Sequence, residues 1–108
     1  MKQFKFKGVN IYVGENKDEN WNLLDKSHPN DFFVHLNSFP SGHVKIETYI
    51  FDIEIILYAG KICKEYSKYK NLKDLKICYC NYENVLKGET KGEVVFKSNR
   101  KVKKIKLY

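Results

Sequence analysis

The sequence predicts an α+β domain with two helices and a largely antiparallel sheet, in the order ββαββαβββ. Three observations carry this reading. Apolar and polar residues nearly alternate over 4–13, two strand-like runs flank the turn-rich segment 37–42, and the stretch from 50 to 69 has the length and spacing of a helix.

Taken in order, Phe4, Phe6, Val9, Ile11 and Val13 sit among Lys5, Lys7, Asn10 and Tyr12, with a break at Gly8. This describes a strand or bulged hairpin ended by Gly14. Glu15 to Asp25 is polar, anchored by Trp21, Leu23 and Leu24, and suits a short helix capped around Asn16. His28-Pro29-Asn30-Asp31 is turn chemistry. Asp31 to Leu36 and His43 to Thr48 read as two strands joined by Asn37 to Gly42. Further on, Ile53-Glu54-Ile55 alternates like a strand, whereas Ile55, Ala59, Ile62 and Tyr66 recur at helical spacing. Length favours a helix beginning near Asp52. Leu75 to Tyr79, Glu93 to Lys97 and Lys101 to Leu107 read as strands, the last two joined by a turn at Ser98-Asn99-Arg100.

With 108 residues, 43% hydrophobic and 31% charged, the chain is expected to form one domain over 1–108 that buries a core without disulfides or a structural metal. Three cysteines are too few and odd in number for a disulfide framework. No apolar run approaches the roughly 20 residues of a membrane span, and Met1-Lys2-Gln3-Phe4-Lys5 lacks a signal-peptide core. The expectation is a soluble protein of a reducing compartment, cytoplasmic with the nucleus as the alternative, and no membrane partner.

Charge is unevenly placed. The net charge is +7, yet residues 1–54 hold six Lys and eight acids whereas 55–108 hold fourteen Lys/Arg and five acids. A basic second half points to a polyanion such as nucleic acid. Nineteen of the twenty cations are Lys, which AT-rich coding also produces, so charge by itself leaves binding and plain solubility equally open. Lys61, Lys64 and Lys68 form one stripe at helical spacing. Lys87, Lys91, Arg100, Lys101 and Lys103 crowd the last third, and their convergence on one face would track a phosphate backbone.

Other chemistries find little support. Neither a P-loop nor Gly-x-Gly-x-x-Gly occurs, and the carboxylates at Glu15, Asp18 and Glu19 suit a solvated helix face. His35, His43, Cys63, Cys78 and Cys80 are ligand types, but their spacing matches no zinc site and nothing marks a thiol as activated. No metal, cofactor or catalytic residue is expected, and the chain is not read as an enzyme.

The motifs themselves form a recognisable series. Ile11-Tyr12-Val13-Gly14-x-Asn16, Asn20 and Leu23, then Asp31-x-Phe33-x-His35, then Pro40-Ser41-Gly42-His43-Val44 run in order, followed by Ala59-Gly60-x-Ile62, Tyr66-Ser67, Tyr79, Val85-x-Lys87 and Gly92-x-Val94. Over roughly residues 9–107 this resembles the NFACT-R domain. The resemblance implies an α+β RNA-binding module without cofactor or known catalytic centre. Such modules end large proteins of ribosome-associated quality control, which bind the large ribosomal subunit and recruit tRNA, and they also occur as small stand-alone proteins, the kind this chain is expected to be. Some positions depart from the family pattern: Glu15 replaces a usual cation, Phe33 a usual Trp, and Pro-Ser-Gly-His the commoner Pro-Gly-Ser-His.

The resulting expectation is an RNA-binding protein of translation whose partner is tRNA or ribosomal RNA, with DNA and the large ribosomal subunit as further candidates. Phosphate contacts are assigned to Lys61, Lys64, Lys68, Lys87, Lys91, Arg100, Lys101 and Lys103. The motif residues Asn16, Asn20, Phe33, His35, His43 and Tyr79 are assigned to architecture or RNA contact. The alternative is an adaptor docking on a ribosomal or host protein, with oligomeric state open.

Overall fold

In the computed structural model, which describes Met1–Leu107, strands β1 (Lys2–Phe6) and β2 (Val9–Val13) form a hairpin. Its two turn residues, Lys7 and Gly8, both have positive φ, 52° and 77°. This turn matches the twist of the flanking strands, and Gly8 takes its left-handed position without a Cβ penalty. The break at Gly8 is therefore a tight turn and not a bulge.

Helix α1 (Lys17–Asp25) starts at Asn16, whose Oδ1 accepts from the Glu19 amide at 2.9 Å, so the cap expected from sequence is present. Strands β3 (Phe32–Leu36) and β4 (Val44–Ile46) pair antiparallel. Helix α2 (Ile53–Glu65) begins after Asp52, which accepts from the Glu54 amide. It stops well short of Tyr69. The Ser67 hydroxyl donates to the Lys64 carbonyl and accepts from the Tyr69 amide, offering the backbone partners outside the helical ladder.

Strands β5 (Lys76–Asn81), β6 (Val85–Lys87), β7 (Val94–Phe96) and β8 (Lys103–Lys106) complete the described chain. Strand β6 is one more than the sequence predicts, since three residues are too short to show a period. It takes β7 as its partner, while β8 pairs with β5. The turn expected after Lys97 is present as a 3₁₀ turn over Asn99–Lys101, but it links strands of different sheets.

The main sheet is antiparallel with strand order β1-β2-β4-β3-β5-β8. Alternation divides its faces. Ile11, Val34, Leu36, Val44, Ile46 and Ile77 face α2 and bury against Ile55, Ile56, Ala59 and Cys63. On the other face Phe33, Cys80, Tyr82 and Val85 form a smaller core with Leu24, Val94, Phe96 and Val102. That face is covered by α1 and the β6–β7 ribbon, which are joined to each other: Trp21 Nε1 donates to the Glu93 carbonyl at 2.8 Å, and Lys87 Nζ lies 5.1 Å from the Trp21 ring centre and 2.8 Å from Asp25. Among the described residues no helix is long and apolar enough to cross a membrane.

Candidate nucleic-acid interface

The cover on the second face is incomplete, and the gap is a groove of about 630 Å³. Its floor comes from the sheet. Phe33 and His35 project from β3 on the side away from α2, Cys78 lies opposite His35 on β5, and His43 stands one residue before β4. The rings make a tight group. His35 and His43 meet at 5.3 Å and 74°, His43 lies 5.1 Å from Phe33, and the Phe33 and His35 rings are 12° from parallel at 6.1 Å. One wall is the first turn of α1, with Lys17 and Asn20; the others are the segment Asn37–Ser41 and the loop Thr90–Val94. The volume falls within the roughly 300–1,000 Å³ typical of ligand sites.

A close approach of backbones holds His43 in place. The Gly14 amide donates to the His43 carbonyl at 2.9 Å, and the His43 amide donates to Asn20 Oδ1 at 3.1 Å. A Cβ on Gly42 would fall 2.2 Å from the Gly14 carbonyl oxygen, and one on Gly14 would fall 2.4 Å from Asn20 Oδ1. Gly42 requires glycine because it meets a backbone atom that cannot turn aside, whereas a side chain at Gly14 would displace the Asn20 amide oxygen that holds the His43 amide. Across the groove, Ser41 Oγ accepts from the Leu36 amide at 3.1 Å and ties the far wall to β3.

Burial lowers the pKa of His35, and burial together with the neighbouring His35 lowers His43 to about 3. Both imidazoles are therefore neutral near pH 7 and able to donate and accept hydrogen bonds. Burial pushes the Cys78 thiol up. A protonated thiol beside imidazoles with lowered basicity is the reverse of an activated Cys–His pair. Among the described residues no three His, Cys, Asp or Glu side chains are gathered to hold a metal. Positive charge stands at the rim: Lys17 lines the groove, Lys91 lines it while paired with Asp18, and Lys104 shares the groove-side face of β8 opposite Cys78.

Of the motif residues, Asn20, Phe33, His35 and His43 gather at this groove, with Asn16 capping the helix beside it. Tyr79 does not; it points to the α2 side of β5, where its ring lies 5.9 Å from Phe51. The eight expected phosphate contacts are divided. Lys61 and Lys64 lie on the outer side of α2, across the sheet from the groove, and Lys68 follows the helix end. Lys87 is engaged by Asp25 and Trp21. Arg100 and Lys101 occupy the exposed 3₁₀ turn, and Lys103 pairs across from Tyr79. Only Lys91 of the eight lines the groove. The contacts assigned from sequence leave out Lys17, which directly follows the Asn16 cap, and Lys104, one of the cations crowded in the last third of the chain.

No curated protein matches this chain. Among solved structures, the C-terminal part of the fibronectin/fibrinogen-binding protein from Streptococcus suis is similar, with a TM-score of 0.88 at 18% identity over 98% of this chain. The alignment covers 44% of that chain, so the present chain spans less than half its length. At such identity the likeness establishes the fold. The family model described as the NFACT protein RNA binding domain matches residues 2–99. With nine-tenths of its length matched and the motif residues gathered on one groove, the chain belongs to the NFACT RNA-binding domain family.

Proposed function

We propose that this RNA-binding domain holds tRNA or ribosomal RNA across the groove on the α1 side of the sheet. Lys17, Lys91 and Lys104 meet phosphates, and the neutral rings of His35 and His43 meet bases or ribose hydroxyls. The observation that carries the reading is the convergence of motif residues from α1, β3 and the start of β4 on one open groove with cations at its rim. Shape suits RNA because bases in single-stranded loops can be splayed out to reach aromatic and imidazole groups. Lys61, Lys64, Lys68, Arg100, Lys101 and Lys103 add a long-range positive field that speeds encounter and favours RNA over neutral partners.

The test is a fluorescence-anisotropy titration of a labelled tRNA at several salt concentrations. With about three phosphates neutralised, log K falls with log salt at a slope of about −2 to −3. Lys17→Gln with Lys104→Gln weakens binding about tenfold, whereas Gln at Lys61, Lys64 and Lys68 together costs less. The reverse ranking would move the site to the α2 side. A complex that survives nuclease treatment would favour the adaptor reading.

A further inference from the structure

The opposite face of the sheet carries a feature that the groove leaves unused. Four of the nine large hydrophobic side chains exposed among the described residues fall in one short segment running from the β4–α2 loop into the first residue of α2: Tyr49 at 76%, Ile50 at 61%, Phe51 at 53% and Ile53 at 39% exposure. A folded domain seldom leaves such a run uncovered without a partner.

The segment is anchored, not loose. The Phe51 ring packs against Phe32 at 6.2 Å and lies nearly parallel to Tyr79 at 5.9 Å and 24°. Phe51 and Tyr79 together make a held aromatic ledge, one ring half-exposed and the other partly buried. Directly across from Tyr79, on the same face, stands Lys103 of β8. Lys103 makes no ion pair among the described residues, nor do Arg100 and Lys101 in the exposed turn just before it. The two acids nearest the segment, Asp52 and Glu54, are both engaged by Lys7 at 3.2 Å. Lys103 therefore stands as a free cation beside Tyr79, and Lys7 offsets one of the two negative charges of Asp52 and Glu54.

We propose that this ledge is a second RNA-binding surface, taking an unpaired stretch of RNA whose base stacks on Phe51 while Lys103 meets its phosphate. Exposed π-faces beside unpaired cations fit single-stranded nucleic acid, which offers both a flat base and a negative backbone at short repeat. The proposal rests on the RNA-binding reading of the family and adds to it a contact on the face away from the groove. A chain bound on both faces of one sheet would straddle its edge.

The experiment uses labelled oligoadenylate of about twelve nucleotides. Phe51→Leu keeps an apolar cover on Phe32 but removes the ring; Tyr49→Ser and Lys103→Gln act at exposed atoms. Unchanged melting temperature verifies folding. Phe51→Leu is expected to weaken oligoadenylate binding about tenfold and Lys103→Gln about threefold, with the loss from Lys17→Gln and Lys104→Gln multiplying independently. Photocrosslinks of the oligonucleotide are expected at Phe51 or Tyr79. If the ledge variants bind as the wild type does while the groove variants lose affinity, this proposal fails and the groove reading stands. An accompanying change in sedimentation would then give the surface to a second copy of the chain. If the wild type binds neither oligoadenylate nor tRNA, the RNA reading itself fails and the ledge with it.

Discussion

The rings of His35 and His43 meet edge to face at 5.3 Å, each within reach of the same Phe33 ring. Burial on this apolar floor lowers the basicity of both imidazoles, and for His43 the neighbouring His35 lowers it further, so the pair meets in its neutral form near pH 7.

Stability should accordingly fall in acid. An unfolded His43 takes a proton near pH 6.5, whereas the folded one does so only near 3, so between these values the unfolded state binds more protons. The contribution is fully present above about pH 6.5 and is lost as pH falls toward about 3. Urea titrations at pH 7 and pH 4.5 are expected to differ by about 2–3 kcal/mol from this group. The difference should shrink in His43→Asn; an equal drop in that variant would place the acid sensitivity in other groups.

Gly42→Ala is expected to destabilise by more than about 2 kcal/mol, because its Cβ would sit 2.2 Å from the Gly14 carbonyl oxygen, a backbone atom that cannot swing away. Displacing that strand end also moves His43, so RNA affinity should fall together with the melting temperature. A variant as stable as the parent would show that the two segments can separate freely.

Tyr82 is 3% exposed and its hydroxyl has no hydrogen-bond partner among the described residues, which makes it a buried donor without compensation there. Tyr82→Phe keeps the edge-to-face contact with Phe33 at 5.6 Å and removes the desolvated group. A gain of about 1 kcal/mol in denaturant unfolding is expected. A loss would mean that the hydroxyl has a partner in solution.

Asp18 holds Lys91 at the groove rim. Both side chains are largely exposed, at 76% and 60%, so the pair itself stabilises little. Asp18→Asn is therefore expected to leave the melting temperature nearly unchanged while tightening tRNA binding about twofold to threefold at low salt, by freeing a cation and removing an anion. Weaker binding would mean that Asp18 positions Lys91 productively.

Much of the fold is legible in residue order because local rules write it there. The Asn16 cap, the break at Gly8 and the apolar run Phe32–Leu36 each depend on a few adjacent residues. The end of α2 and strand β6 were not legible for the same reason inverted. Ser67 stops the helix through hydrogen bonds that compete with its ladder, and Val85–Lys87 becomes a strand only because β7 arrives beside it.

Composition and motif order by themselves determine an α+β chain with a basic second half and an RNA-binding ancestry. Which cations stand together was settled only in three dimensions. Lys61 and Lys91 are alike as sequence, yet packing α2 on one face of the sheet and the β6–β7 ribbon on the other puts them on opposite sides of the molecule. Charge has no period of its own; it is carried to a surface by the apolar residues whose burial chooses the face.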